Sequence, residues 1–406
     1  MDARTLTLVW LSMVVGGCAI SRDGGNGTFG DDVAFLREHT DVVVLSDSGG
    51  QGQIAVLPEM QGRVMTSTAA GSDGYSFGWI NRELVASGEF IEHINVFGGE
   101  DRFWLGPEGG QFSIFFAPGV PFDLDHWYTP APIDTEAWEL TSRTSDSARL
   151  RKTMRVKNYS GETFDLRVDR QVQVLDRQEG LDALGVTAGA GVSVVAFEST
   201  NTMTNTGDEP WTRRTGLLSI WILGMFKPSP ETTVVIPFRE GPVEELGPIV
   251  NDVYFGRVPA DRLVIADGVL YFSGDGQYRS KIGLSPHRAK EVLGSYDATH
   301  GVLTVVQYNQ PAEPVDYVNS VWELQEEPYG GDVVNSYNDG PPAPGAAPLG
   351  PFYELETSSP AAALAPGRSI LHTHRTFHFT GSQSDLDRLA REVLGVSLAQ
   401  IEAALP

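Results

Sequence analysis

Apolar and polar residues alternate over two neighbouring stretches of the chain, at 148–157 and 164–174. Successive side chains of a β-strand point to opposite faces, so this period of two predicts two strands with one buried face each. The tetrapeptide between them, residues 158–161, reads Asn-Tyr-Ser-Gly and supplies a turn. This part of the chain is therefore predicted to fold as an antiparallel hairpin.

Strand signals continue along most of the sequence. A second hairpin is predicted at 262–273, because Asp267-Gly268 is a strong two-residue turn signal between two apolar runs. The 45 glycines and 25 prolines provide many turns. Composition does not change between residues 30 and 406, so one domain over 31–406 is expected. Further strands are predicted at 42–45, 54–57, 64–68, 113–116, 193–203, 216–223, 232–237, 301–307, 317–324, 352–356 and 369–379.

Helix signals are few. One short helix is expected around Phe35. A second is predicted at the C-terminus, with Ser384 as its cap, apolar residues at helical spacing, and Gly395 as its stop. A last short helix is expected to start at Ser397. The predicted fold class is all-β, mainly antiparallel, with a short C-terminal helix.

The first eighteen residues have the pattern of a bacterial lipoprotein signal peptide. Arg4 precedes an apolar stretch at 6–15, and the stretch ends in Val-Gly-Gly-Cys with Cys18 as the only cysteine of the chain. We expect cleavage and lipidation at Cys18, a flexible tether at 19–30, and a bacterial cell envelope location. The alternative is an ordinary signal peptide with a coincidental cysteine. The net charge of −24 argues against nucleic acid as a partner.

Residues 92–111 carry the densest set of chemically active side chains. Four acids, an Arg, a His and a Trp stand among five glycines. Carboxylates accept hydrogen bonds from hydroxyls, Arg donates in a fixed fork, and an indole covers C–H surface, as a sugar requires. The alternative is a structural loop whose charges pair with each other. The candidate ligand-binding residues are His93, Glu100, Asp101, Arg102 and Trp104, and the candidate catalytic residue is Glu108.

Two further clusters, of histidines and of glutamates, are candidate parts of a site. His372, His374 and His378 share one parity on a predicted strand, and Leu371, Phe377 and Phe379 share the other. We expect the histidines on the more polar face, with His372 and His374 facing a sugar, and a metal site as the weaker alternative.

Alternation also places Glu354 and Glu356 on one face of a strand, where two neighbouring carboxylates raise a pKa. A carboxylate with a raised pKa suits a general base, and the alternative is a solvated strand face.

The C-terminal pattern resembles that of aldose 1-epimerases, the galactose mutarotases. Leu355-Glu356-Thr357, followed by Pro360-Ala361 and by Pro366-Gly367, is similar to the segment that carries the base in that family. Residues 202–211 are similar to the strand and turn before the second catalytic His of the family. The resemblance implies a β-supersandwich fold, Glu356 as the catalytic base and Arg102 as a sugar-binding residue. Residues 95–111 also resemble uncharacterised mutarotase-like lipoproteins.

Two departures from that family shape the functional hypotheses. Residues 218–223 lack the His of the family pattern, and Glu108 stands where the family has a His before Gly109-Gly110. The first hypothesis is an enzyme for epimerisation or hydrolysis, with Glu356 as base and Glu108 or a histidine of 372–378 as acid. The alternatives are a non-catalytic carbohydrate-binding lipoprotein and a structural envelope protein. A carbohydrate ligand, no cofactor, no metal and a monomer are expected.

Overall fold

The computed structural model describes residues 27–406. The predicted signal segment and Cys18 lie outside these residues. The fold is built from strands, whose bounds are β1 (Val43–Ser46), β2 (Gln53–Leu57), β3 (Arg63–Thr68), β4 (Arg102–Gly106), β5 (Glu139–Arg143), β6 (Ser147–Lys157), β7 (Thr163–Leu175), β8 (Ser193–Asn205), β9 (Ser219–Phe226), β10 (Thr232–Pro237), β11 (Leu263–Ala266), β12 (Val269–Ser273), β13 (Ser280–Leu284), β14 (Val292–Asp297), β15 (Val302–Tyr308), β16 (Val334–Asn338), β17 (Tyr353–Ser358) and β18 (Ser369–Thr380).

Helices are short and lie outside the sheets. The α-helices are α1 (Phe29–Arg37), α2 (Arg82–Ser87), α3 (Arg177–Leu184), α4 (Val243–Leu246), α5 (Gln383–Val393) and α6 (Leu398–Glu402). Three 3-10 helices span Pro58–Met60, Leu124–His126 and Ala131–Ile133. Within residues 27–406, none of the helices combines the length and the apolar character needed to cross a bilayer.

The strands form three antiparallel sheets. The largest has ten strands in the order β11-β12-β10-β14-β15-β18-β8-β7-β6-β5, and the second has five in the order β13-β16-β17-β9-β4. The third consists of β1, β2 and β3. All neighbouring strands pair antiparallel. The predicted all-β, mainly antiparallel class with a C-terminal helix is confirmed.

The five-stranded sheet lies over the ten-stranded sheet and closes the main core. Thr357 of β17 bonds to His372 of β18, with 2.8 Å between Oγ1 and Nε2, and Tyr353 bonds to Ser295 of β14 at 2.8 Å. Apolar residues of both sheets fill the space between them. The other face of the ten-stranded sheet is covered by α3, α5 and α6. Both faces of β18 are therefore buried around Phe377 and Phe379, whereas its outer face near Leu371 stays exposed.

Both predicted hairpins are confirmed. In the first, β6 pairs with β7 so that Ala148 lies opposite Val172, and every second residue of β7 from Phe164 onward is buried. In the second, β11 pairs with β12 across Asp267-Gly268, where both residues have positive φ as the turn requires. Local alternation and turn chemistry thus suffice to define these pairs.

The helix ends differ in part from the sequence expectation. Helix α1 begins at Phe29 with Thr28 as its cap, so the last two residues of the predicted tether are helical. Helix α5 is capped by Ser382, two residues before the predicted Ser384, because the Ser382 side chain accepts from the backbone N–H of Asp385. Leu386, Leu389 and Ala390 form its buried face. Ser397 caps α6 as predicted.

Two predicted strands are irregular segments. At 113–116 the backbone N–H of Ile114 bonds to Pro107 instead of to a neighbouring strand. At 317–324 the backbone N–H of Tyr317 bonds to Tyr329, and no ladder continues from there. Both segments approach the outer face of the five-stranded sheet, where they help to shape the candidate site.

Candidate functional site

A cavity of about 480 Å³ opens on the outer face of the five-stranded sheet. Its floor comes from side chains that share one face of all five strands, because Arg102 of β4 lies opposite Leu223 of β9, and Leu223 lies opposite Glu356 of β17. This face presents Arg102, Trp104, Trp221, Lys281 and Glu354 to the cavity. The volume falls within the range of about 300–1,000 Å³ that is typical of small-molecule sites.

Two buried ion pairs hold the floor together. Arg102 pairs with Glu354, and the Nζ atom of Lys281 lies 3.0 Å from Oε2 of Glu356. The indole N–H of Trp221 donates to the same Oε2 atom at 3.0 Å. Glu356 is fully buried and does not line the cavity, whereas Glu354 does. The structure therefore places the predicted base one side chain behind the cavity wall, where it anchors Lys281.

Glu108 is partly exposed and lines the cavity. Its backbone N–H donates to Ser320 Oγ at 3.1 Å, which fixes this segment against the irregular segment at 317–324. Burial raises the pKa of Glu108 to about 7, with Lys281 opposing the shift and Glu356 adding to it. Burial also raises the pKa of Glu354, and its pairing with Arg102 opposes that shift. A carboxyl group with a pKa near neutrality can donate or accept a proton at pH 7.

The glycines of residues 92–111 allow close chain packing. A Cβ on Gly109 would lie 2.3 Å from the carbonyl oxygen of Val321, and one on Gly98 would lie 2.1 Å from that of Trp79. Gly98 also has a φ of 102°, which L-residues rarely adopt. These glycines bring β4 and Glu108 against their neighbours, so their role is to build the wall of the cavity.

Aromatic side chains form most of the walls. Trp104 packs edge-on against Trp221, with ring centroids 5.6 Å apart, and Trp127 stacks on Trp322 at 5.7 Å. All four tryptophans line the cavity. His93 also lines it, where its ring stacks on Tyr128 and its Nδ1 atom lies 2.7 Å from the Trp127 carbonyl oxygen. Flat apolar rings beside charged groups suit the two kinds of surface of a sugar.

The segment after β16 covers one side of the cavity. Pro342, Pro348 and Leu349 of this segment line it. Asp339 is fully buried at the start of the segment, and it accepts from the Tyr337 hydroxyl at 2.6 Å and from the Gly350 backbone N–H at 2.8 Å. One carboxylate thus ties both ends of the segment to the sheet.

Four residues predicted to bind the ligand do not line the cavity. Glu100 accepts from Ser67 at 2.8 Å and lies 2.7 Å from His378 Nε2, and Asp101 pairs with Arg170 at 2.7 Å. These contacts point into the space between the sheets, so the expectation for Glu100 and Asp101 is corrected. Both carboxylates bind partners inside the protein, as expected for a structural loop, the alternative hypothesis.

His372 and His374 are also buried between the sheets. Both bond to the Thr357 hydroxyl, through Nε2 at 2.8 Å and Nδ1 at 2.9 Å respectively. Burial lowers the pKa of His372 to about 3 and that of His374 to about 4. The predicted polar face is wrong because the five-stranded sheet covers the face of β18 that carries the histidines, whereas the opposite face is exposed at Leu371. In residues 27–406 no three His, Cys, Asp or Glu side chains are arranged to hold a metal ion.

Several cavity residues escaped the sequence analysis. Lys281 lies on β13, and Arg279 directly precedes this strand. All residues of β13 are buried, so exposed and buried residues do not alternate along it. Trp127 and Trp322 lie in irregular segments. Trp221 stands within the very stretch where the resemblance to aldose 1-epimerases implied a His. A lone Lys or Trp carries no spacing signal, and these side chains become a group only through the sheet.

Solved structures with a similar chain path are aldose 1-epimerase and galactose mutarotase-like proteins. An Escherichia coli K12 candidate aldose 1-epimerase is 16% identical, with a TM-score of 0.49, over 84% of this chain and 99% of that chain. A galactose mutarotase-like protein from Lactobacillus casei is 9% identical, with a TM-score of 0.46, over 83% and 100%. A galactose mutarotase related enzyme from Lactobacillus acidophilus is 8% identical, with a TM-score of 0.44, over 84% and 97%.

These similarities are to galactose mutarotase-like proteins, the class that the sequence resemblance predicted. The chain belongs to the family of unknown function DUF6786, whose sequence profile matches residues 27–405. No curated protein matches the chain.

Proposed function

We propose that the protein binds the end of a carbohydrate in the cavity on the five-stranded sheet. The observation that carries the proposal is the lining itself, in which four tryptophans surround a floor of ion-paired Arg102, Glu354 and Lys281. Indole faces cover the C–H surfaces of a sugar ring, and the charged floor offers donors and acceptors to its hydroxyls. We thus propose this cavity as the binding site for the carbohydrate that the sequence patterns predicted.

Calorimetric titration with methyl glycosides and short oligosaccharides tests this proposal. The panel contains glucose, galactose, mannose, N-acetylglucosamine and glucuronic acid as terminal sugars. Saturable binding of at least one compound is expected, and Trp322→Ala should weaken it at least about tenfold, which is about 1.4 kcal/mol. Trp322→Phe is the matched control, since it keeps an aromatic face and should retain most of the affinity. Absence of binding across the panel would refute the proposal.

A second candidate function is proton transfer to or from the bound sugar. It is favoured by Glu108, whose raised pKa of about 7 leaves it part protonated at neutral pH beside the ligand space. As a general acid Glu108 would assist epimerisation or hydrolysis at the sugar end. Glu356 would act through Lys281 in this scheme, because it has no access to the cavity. Glu354 and Glu108 are the glutamates that line the cavity.

The pH profile of turnover tests the catalytic candidate. Anomer exchange is measured on the corresponding free reducing sugars, and cleavage is measured on the glycosides that bind. If Glu108 is the acid, the rate should fall as the pH rises through about 7, because the donor proton is then lost. Glu108→Gln should abolish turnover and leave affinity within about threefold. Binding without turnover at any pH would select the non-catalytic binding protein.

A further inference from the structure

The mouth of the cavity differs in character from its floor. Four large apolar side chains that line it, Ile91, Leu124, Phe255 and Leu349, are 37–53% exposed. They come from four separate segments, which lie after α2, in the 3-10 helix Leu124–His126, after α4 and after β16. Single exposed apolar residues are common on protein surfaces, but convergence of several around one opening marks a contact surface. These four side chains are called the apolar rim below.

The charged groups lie at the opposite, inner end. Arg102, Lys281 and Glu354 are each less than 8% exposed and belong to the sheet. Around the mouth, Asp125 is exposed, and the Arg279 guanidinium lies over the Phe255 ring, 3.8 Å from its centroid. The cavity therefore changes from charged at the floor to mainly apolar at the rim. A ligand that matches both ends has a polar head and an apolar outer part.

An unsubstituted oligosaccharide fits this gradient poorly. Its hydroxyls would meet the side chains of Ile91, Leu124 and Leu349, which offer no hydrogen bond in return for the water they displace. An alkyl or acyl chain attached to the sugar would instead remove the apolar rim from water. The rim is continuous with the ligand cavity, so the same molecule can reach both.

We propose that the ligand is a sugar that carries an alkyl or acyl chain, with the sugar on the charged floor and the chain against the apolar rim. This inference rests on the proposed carbohydrate binding and narrows it to the glycolipid class. A protein partner or a second copy of the chain on the rim is the competing occupant. A glycolipid requires the rim and the floor to bind the same molecule, whereas a protein contact requires the rim alone.

Matched alkyl glycosides test the inference. Methyl and octyl glycosides of the same five sugars are titrated into the full chain by calorimetry, below the micelle concentration of the octyl compounds. The octyl glycoside of at least one sugar is expected to bind at least tenfold more tightly than its methyl counterpart. The double variant Ile91→Ser/Leu124→Ser should lose most of that difference and leave the affinity for the methyl glycoside unchanged.

The control variant is Ile265→Ser/Leu371→Ser. Ile265 and Leu371 are exposed to a similar extent, at 44% and 47%, but do not line the cavity. This variant should keep the full difference between octyl and methyl glycosides. Thermal midpoints of both double variants show whether they are folded.

The outcomes separate this inference from the proposed function. Equal affinity for methyl and octyl glycosides would overturn the inference and leave carbohydrate binding in place. The inference would also be overturned if Ile91→Ser/Leu124→Ser kept the preference for octyl glycosides. It would likewise be overturned if this variant changed the sedimentation behaviour of the chain, because that would indicate a protein contact at the rim. Absence of binding by every methyl and octyl glycoside would overturn both.

Discussion

Asp101 and Arg102 are neighbours in sequence, yet they belong to two different charged clusters. Asp101 turns toward the ten-stranded sheet and pairs with Arg170, in a core cluster with Glu100, His374 and His378. Arg102 turns to the outer face and pairs with Glu354, in a cavity cluster with Glu108 and Lys281. Both clusters contain the residue types of a sugar site. Only the second lines the cavity of about 480 Å³, so access separates a candidate functional cluster from a structural one.

The largest expected effect is on stability, from a change in the core cluster. Asp101→Asn leaves the buried Arg170 guanidinium without its counter-charge, and it should lower the free energy of unfolding by about 3–5 kcal/mol. Urea unfolding at pH 7.5 measures this. The control is Asp165→Asn, which removes the partner of Arg155 on the surface and should have little effect. Similar losses for both variants would contradict the distinction between buried and exposed pairs.

An intermediate effect is expected from the pH dependence of stability caused by two buried histidines of β18, His372 and His374. His372 and His374 have pKa values of about 3 and 4 in the folded protein, whereas an unfolded His titrates near 6.5. Below about pH 6.5 the unfolded chain therefore binds more protons, and stability falls as the pH falls. The loss should be about 2 kcal/mol per histidine at pH 5.

Urea unfolding at pH 7.5 and pH 5.0 tests this sign and size. The variant His372→Gln/His374→Gln has no group that titrates at these positions, so its stability should change less between the two pH values. An unchanged pH dependence in the variant would show that other groups cause the loss.

The smallest effect is expected in the cavity cluster, with the opposite sign. The pKa of Glu108 is raised from 4.5 to about 7, so its contribution to stability is present below pH 4.5 and is lost as the pH rises to about 7. Glu108→Gln stays neutral throughout and should gain about 1 kcal/mol relative to the wild type between pH 5 and pH 8, since solvent in the cavity screens the partly exposed group. If the free energy of unfolding of Glu108→Gln instead rose relative to the wild type as the pH fell, Glu108 would have the pH dependence expected of the buried histidines, and the prediction would be wrong.

Sequence alternation predicted those strands that have one buried and one open face. It identified β6 and β7 together with their turn, and it placed Glu354 and Glu356 on one side of β17. Apolar runs also revealed β9, β10 and β12, although all their residues are buried. The sequence patterns missed β5 and β14, and they missed β4, β13 and β16, which are buried throughout and mix polar with apolar residues without a period of two. The candidate site lies largely on these strands, so the weakest part of the fold prediction coincided with the site.

The histidines of β18 illustrate the same limit. The prediction that they share one face was right, and so was the assignment of Phe377 and Phe379 to the other. The error was to treat one face as open, although α5 covers the phenylalanines and the five-stranded sheet covers the histidines. Which faces of a strand are covered depends on elements far away in sequence. Arg102 was placed at the site by its resemblance to a family pattern, but its partner Glu354 is 252 residues away.

The order in which the floor strands leave the ribosome has a consequence for folding in the cell. The strand β4 is made early, whereas β13, β16 and β17 follow only after residue 280. A nascent chain that ends before β17 has Arg102 without Glu354, and Lys281 without Glu356. The cavity floor is thus completed only when β17 has been made. A product that is terminated before β17 would therefore be unable to compete for the proposed ligand.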